Sequence, residues 1–164
     1  MFAFLCKSQI SLTCNVISFS GDTLALSTIL SDKCVIFLHN NPSCTACKKE
    51  LGSFLYNNID TSEFKIVAIS RMLYFPSSFW GTDSYLRNLC PKISATYFDF
   101  SSAKSINSLS LNNDGVFGMF RIIHAPSLIL KNKDEFLTVQ YEEIFEEYFV
   151  SEKSKKIIRD FLNK

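Results

Sequence analysis

The sequence predicts one α/β domain, a β-sheet with helices layered on both faces, and three observations carry that expectation. The runs Cys34-Val35-Ile36-Phe37-Leu38 and Lys65-Ile66-Val67-Ala68-Ile69-Ser70 are nearly continuous in apolar character, as strands buried on both faces are. Helix-like stretches separate the strand-like ones, and the last of them, Ser151 to Lys164, spaces Ile157, Ile158, Phe161 and Leu162 as one helical face behind a Ser N-cap. A length of 164 residues holds one core comfortably and two poorly.

Taken in order, residues 1–18 read as an N-terminal extension and residues 19–32 as a hairpin and link. Phe19-Ser20-Gly21-Asp22-Thr23-Leu24-Ala25-Leu26 supplies a Gly-Asp turn followed by Leu24 and Leu26 on one face. The core then spans 33–164. A strand at Val35 to Leu38 ends in a turn containing Pro42, and a helix runs from Cys44 to about Asn57. Lys65 to Ser70 is the second buried strand. From Arg71 the pattern loosens into a loop at Pro76-Ser77-Ser78 and a helix from Asp83 to Cys90, stopped by Pro91. The aromatic residues Tyr74, Phe75, Phe79 and Trp80 are expected to fill core beneath this connection, with a substrate-facing patch as the other reading. Thr96 to Phe100 reads as a strand, Ser105 to Leu111 as a short helix and Asn112 to Gly115 as a turn. Ala125-Pro126 leads into a strand at Ser127 to Leu130, which Asn132-Lys133-Asp134 turns back into Phe136 to Tyr141.

A hydrophobic content of 47%, with 14% aromatic residues, excludes a disordered chain. Seventeen Lys and Arg balance sixteen Asp and Glu, so the sequence carries no electrostatic footprint for nucleic acid. The densest basic cluster, Lys153, Lys155, Lys156 and Arg159, reads as the solvated face of the last helix. No apolar segment reaches transmembrane length, and Met1-Phe2-Ala3-Phe4-Leu5-Cys6-Lys7 lacks the basic and long apolar regions of a signal peptide. No membrane insertion is expected within this sequence, and a monomer without cofactor or metal is the expected form.

The chemistry concentrates at Cys44-Thr45-Ala46-Cys47. A strand that turns into a helix at a C-x-x-C puts the first thiol at the helix N-terminus, where unpaired amides and the helix dipole favour a thiolate. The second thiol lies one turn on, close enough to close a small disulfide. A zinc site would need a second ligand pair, but Cys6, Cys14, Cys34 and Cys90 stand singly, and His39 and His124 are far apart. A peroxidase of the peroxiredoxin type would need a Pro seven residues before Cys44, where Phe37 stands. A copper-handling protein, with His124 as a distal ligand beside two thiolates, and a non-catalytic binding module remain alternatives. His124 is also a candidate base, though a lone His beside an apolar strand is usually structural. Glu50, three residues past Cys47, is by spacing either a proton carrier for that thiol or a surface residue of Lys48-Lys49-Glu50.

The hairpin from Phe19, the strand from Lys33, the motif Cys44-Thr45-Ala46-Cys47-Lys48-Lys49-Glu50 and the segment Phe120 to Leu130 resemble, in that order along the chain, the thioredoxin superfamily and within it the TlpA/ResA-like thiol-disulfide oxidoreductases. The resemblance covers roughly 19–164. It implies a thioredoxin-like α/β fold: a central mixed sheet flanked by helices, with an N-terminal β-hairpin and a cis-proline loop. It implies disulfide exchange with Cys44 as nucleophile, Cys47 as resolving thiol and Glu50 as proton carrier. Pro42, Ser43, Thr45, Ala46, Ala125 and Pro126 would form the substrate-binding surface, the cis bond leaving the Ala125 backbone free to pair with an extended chain. The implied partners are protein thiols and disulfides and an upstream redox partner. The implied location is periplasmic or otherwise extracytoplasmic, a cytoplasmic one remaining open. The chain departs from the family pattern at Ser43, where a Trp is usual, at Leu51-Gly52, where a Pro is usual, and at Ala125, where Thr or a β-branched residue is usual. Thr45-Ala46 does not reveal the direction of exchange.

Overall fold

Six consecutive buried residues, Cys34 to His39, make strand β3 (Lys33–Asn40) the axis of the fold. The structure is a computed structural model that describes residues 12, 14–40, 44–71, 79–99 and 115–164. β3 pairs in parallel with β4 (Lys65–Arg71) and antiparallel with β6 (Ser127–Asn132). Beyond β4 lies β5 (Ile93–Asp99), again parallel, and beyond β6 lies β7 (Glu135–Val139), antiparallel. The hairpin of β1 (Asn15–Ile17) and β2 (Thr23–Ala25) extends the sheet past β5, giving seven strands in the order β2-β1-β5-β4-β3-β6-β7.

Period-two alternation divides the core into two. Val35, Phe37, Ile66, Ala68, Leu128 and Leu130 face helices α2 (Thr45–Asn58), α3 (Phe79–Leu89) and α6 (Glu152–Leu162), which contribute Leu51, Phe54, Leu55, Leu86, Ile158 and Phe161. Cys34, Ile36, Leu38, Val67, Ile69 and Ile129 face the other way, towards the short helices α1 (Leu26–Ile29) and α4 (Gly115–Met119) and the residues Phe120 and Ile122. Each such side chain contributes roughly 1.5–3 kcal/mol when fully buried. Helices therefore lie on both faces, as expected, with the three long described helices sharing one of them. Asp99, buried at the end of β5, accepts a hydrogen bond from the Phe117 amide at 3.2 Å and so holds the start of α4. Ser151 caps α6 as its sequence position predicts, accepting from the Ser154 amide at 3.2 Å.

Several boundaries differ from the sequence expectation. The first strand of the hairpin is Asn15–Ile17, inside the presumed extension, because the turn is wider: Ser18 N–H donates to Asp22 at 2.8 Å, with Gly21 at φ +93 between them. Leu26 does not continue that hairpin but opens α1, where Thr28 Oγ1 donates to the Ala25 carbonyl. β5 begins at Ile93 and α3 at Phe79, earlier than Thr96 and Asp83. The closing strand stops at Val139 because Gln140 and Glu143 form a capping box for α5 (Tyr141–Ile144), with Gln140 N–H donating to Glu143 Oε2 at 3.0 Å. A two-stranded ribbon follows, β8 (Phe145–Glu146) with β9 (Phe149–Val150), which the sequence pattern did not suggest. The expected loop at Pro76-Ser77-Ser78, the expected helix at 105–111, turn residues 112–114, Tyr74, Phe75 and the side chains of Phe79 and Trp80 lie outside the described residues, and Gly115, expected to end that turn, opens α4.

Gly52 lets α2 approach the end of α3. A Cβ at that position would stand 2.5 Å from the Leu89 carbonyl oxygen and 2.9 Å from its carbon, both backbone atoms. A Cβ on Gly81, also helical, would meet nothing within 4 Å. Gly52→Ala is therefore expected to destabilise the domain by about 1–3 kcal/mol through overpacking. Gly81→Ala should instead stabilise it by about 0.4–1 kcal/mol, and urea unfolding of the two variants measures both signs.

Candidate functional site

The register of β3 on β6 builds the site. Leu38 lies opposite Ser127, so the residues just before β6 stand beside the end of β3 that feeds the C-x-x-C turn. There the Ala125–Pro126 peptide bond is cis, and Ser127 Oγ donates to the His124 carbonyl at 2.7 Å across the bend. A cleft of about 490 Å³ opens at this point, and Cys44, Ile123, His124, Ala125, Tyr141 and Glu142 are among the residues that line it.

Cys44 occupies the N-cap of α2, half-buried, and its Sγ accepts a hydrogen bond from the Cys47 amide at 3.3 Å. The two cysteines form a disulfide, with their Cα atoms 5.3 Å apart. Cys47 is fully buried. Its Sγ lies 3.3 Å from Tyr141 Oη, a contact that spans 94 residues of sequence. Thr45 and Ala46 are exposed on the first turn and Glu50 is half-buried one turn past Cys47. Ala125 and Pro126 are buried, Ala125 lining the cleft, and Ile123, which also lines it, is 61% exposed. Pro42 and Ser43 lie outside the described residues. His124 is not enclosed by the fold as a structural His would be. It is exposed, paired with the Glu142 carboxylate, and presents its ring edge-on to Tyr141 at 6.3 Å.

Behind the dithiol sits a polar cluster that the sequence pattern did not single out. Lys48, next in sequence to Cys47, is 3% exposed, so only part of the Lys-Lys-Glu run is surface. Its Nζ lies 3.5 Å from His39 Nε2 and 5.1 Å from the centroid of the Tyr85 ring, while His39 Nδ1 lies 3.0 Å from Ser70 Oγ. An ammonium can only donate, so Nε2 accepts from Lys48 and Nδ1–H donates to Ser70. Burial lowers the Lys48 pKa. Burial and, secondarily, the Lys48 charge push His39 down to about 3. The helical stripe Cys47, Lys48, Leu51, Phe54 and Leu55 was the available sequence signal for Lys48, since it lies on the buried face of α2. Tyr141 had one too, in the Gln140-x-x-Glu143 box that ends β7 and starts a helix.

Of the remaining described thiols, Cys34 and Cys90 are fully buried and Cys14 is half-buried. Burial raises Cys14 and Cys34 to about 11, and it raises Cys90 as well. Among the described residues no group of three or more His, Cys, Asp or Glu is arranged to hold a metal ion, and no helix is long and apolar enough to cross a membrane.

No protein-family model and no curated protein matches the sequence. Solved structures do match in fold. The chain is similar to a secreted disulfide oxidoreductase of Mycobacterium tuberculosis, at 12% identity and a TM-score of 0.55, over 93% of this chain and 96% of that one. It is similar to the thioredoxin domain of a thiol-disulfide oxidoreductase of Bacteroides vulgatus, at 14% identity and a TM-score of 0.55, over 95% and 99%. A thiol:disulfide interchange protein from a Bacteroides species gives 14% identity and a TM-score of 0.55, over 94% and 90%. The fold is thioredoxin-like, with a mixed sheet flanked by helices.

Two outcomes follow from these environments. His39 binds a proton more weakly folded than unfolded, so its contribution to stability is complete above pH ~6.5 and is lost as pH falls towards about 3. Urea unfolding between pH 7.5 and 5 should show stability falling by up to ~1.4 kcal/mol per pH unit from this group, and His39→Gln should flatten that slope. After reduction, brief alkylation at mildly acidic pH should modify Cys44 first and leave Cys14, Cys34 and Cys90 unmodified, as peptide mass mapping would report; labelling of Cys47 ahead of Cys44 would reverse the assignment of the nucleophile.

Proposed function

We propose that this domain exchanges disulfides with protein substrates through Cys44 and Cys47. The single observation that carries the reading is a disulfide at the N-terminus of α2 facing a cis Ala125–Pro126 bond across one open cleft. In the reducing direction the Cys44 thiolate attacks a substrate disulfide. A mixed disulfide forms and one substrate sulfur leaves as thiolate. Cys47 then attacks Cys44 Sγ, closing the internal disulfide and releasing the second substrate sulfur, so two electrons pass to the substrate. Oxidation of a substrate dithiol is the same sequence reversed.

Each remaining site residue has a role in this reading. The first-turn amides and dipole of α2 stabilise the Cys44 thiolate. Glu50, half-buried on the helix that carries Cys47, takes the proton that thiol gives up. The Ala125 backbone, with Thr45, Ala46 and the turn residues Pro42 and Ser43, holds an extended substrate chain in line for attack. The partners are protein thiols and disulfides and an upstream redox protein, and the domain works as a monomer. An extracytoplasmic location is the one we favour, supported by the fold's likeness to the secreted mycobacterial oxidoreductase.

Insulin reduction coupled to dithiothreitol tests the activity. Wild-type protein should accelerate it and Cys44→Ser should abolish the acceleration. Cys47→Ser should trap mixed disulfides with partner proteins. Glu50→Gln should slow exchange by less than the roughly hundredfold that a fully positioned acid or base supplies, because Glu50 is only half-buried. A wild type inert both in insulin reduction and in oxidation of a reduced peptide, with a Cys47→Ser form that captures nothing, would sink the reading in favour of a binding module.

A further inference from the structure

Cys47 Sγ and Tyr141 Oη are 3.3 Å apart. The sulfur is bonded to Cys44 and carries no hydrogen, so the hydroxyl is the donor. The tyrosine is held for this role from several sides. It is the first residue of α5, whose start the Gln140/Glu143 capping box fixes, and its ring packs on Phe145 with centroids 5.0 Å apart. The His124 ring meets it edge-on, with centroids 6.3 Å apart. A donor held in this way on a buried sulfur has more effect once that sulfur is an anion, because hydrogen bonds to charged acceptors are the stronger ones.

We propose that Tyr141 is a catalytic residue of the dithiol, its hydroxyl donating to Cys47 Sγ and stabilising that sulfur as the thiolate that resolves the mixed disulfide. The proposal rests on the disulfide-exchange reading above. In the resolving step the Cys47 thiolate forms a bond to Cys44 Sγ, the bond from Cys44 to the substrate sulfur breaks, and the substrate leaves as a thiolate that takes its proton from solvent. Tyr141 keeps its proton throughout, and Glu50 is the group that receives the one Cys47 loses. The hydroxyl thus stabilises the reduced, ionised form of the pair over the disulfide.

The signature of such a donor is a change of sign with pH. Removing it raises the Cys47 pKa, which leaves less thiolate at neutral pH but makes each thiolate more nucleophilic. For a rise of about one unit, tenfold less thiolate is offset by roughly threefold greater reactivity, so resolution slows by roughly threefold at pH 7. Above both pKa values the variant is the faster of the two. Other titratable groups stand on the elements that carry the pair and its neighbours: Cys44 at the N-cap of α2, Lys48 and Glu50 on α2, His39 on β3, His124 before β6, and Glu142 and Glu143 on α5. All of them remain in Tyr141→Phe and contribute equally to both profiles, so a crossing of the two belongs to the hydroxyl.

The experiment is stopped-flow oxidation of the reduced domain by an aromatic disulfide whose released thiolate is coloured. The second release reports Cys47, and Cys47→Ser supplies the blank. Tyr141→Phe should resolve roughly threefold more slowly at pH 7 and faster than wild type at high pH; parallel profiles, or a uniform slowing at all pH values, overturn the proposal. Alkylation of Cys47 against pH in a Cys44→Ser background should show the pKa rise directly, and an unchanged pKa overturns it equally. That measurement needs no turnover, so it separates failure of this proposal from failure of the disulfide-exchange reading, which insulin reduction alone decides. Should Tyr141→Phe not fold, a ring-fluorinated tyrosine at the same position keeps the shape and strengthens the donor. It should shift the Cys47 pKa downwards, and no shift would overturn the proposal.

Discussion

The antiparallel register of β6 on β3 decides where the rest of the site can be. With Leu38 opposite Ser127, the chain before β6 must bend at the level where β3 releases into the C-x-x-C turn. A slip of one residue would turn Leu128 and Leu130 from the α2 face to the other, exchanging their places with Ile129. The apolar alternation of two strands thereby holds a proline loop and a helix N-terminus side by side, although 81 residues separate Cys44 from Ala125. Precision at the sulfur atoms is inherited from hydrophobic packing some distance below them.

The same packing carries costs, and they cluster around α2. Lys48 and His39 are nearly inaccessible to water, a position that an ammonium and an imidazole occupy only with partners. Lys48 finds them in His39 Nε2 and the face of Tyr85, and His39 in Ser70. Among the described residues the Tyr85 hydroxyl has no hydrogen-bond partner although it is buried. A buried hydroxyl left without a partner costs stability at that place. Gly52, three residues past Glu50's neighbour Lys49, contributes on the other side of the balance by letting α2 close on the end of α3.

How much of this was legible in the residues divides by range. The strand at Val35 to Leu38, the strand at Lys65 to Ser70 and the Ser151-capped helix were readable because their signals are local: an apolar run, or a 3.6-residue stripe behind a cap. The motif helix was readable for the same reason. Boundaries failed where a local signal was overridden or overlooked, as at Leu26, drawn into α1, and at Tyr141, taken from a strand by a glutamine capping box. The long-range contacts of Lys48 and Tyr141 were out of reach for a different cause. Each depends on a residue from a distant element, His39 and Tyr85 in one case and Cys47 in the other, and a single sequence does not display such pairings.

Cys34 is the second residue of β3 and buried on one face of the sheet, Cys90 is buried in the core on the other, and Cys14 packs near Met119 at the β1 side. The sheet itself is therefore a partition between Cys34 and Cys90. Under the proposed exchange, sulfur bonds are to pass onward to a partner and not inward to the core. Here the folded backbone acts as insulation: cycling between dithiol and disulfide at the end of the sheet leaves the interior thiols out of the circuit, and the cysteines that serve as core filling stay chemically silent for as long as the strands remain closed.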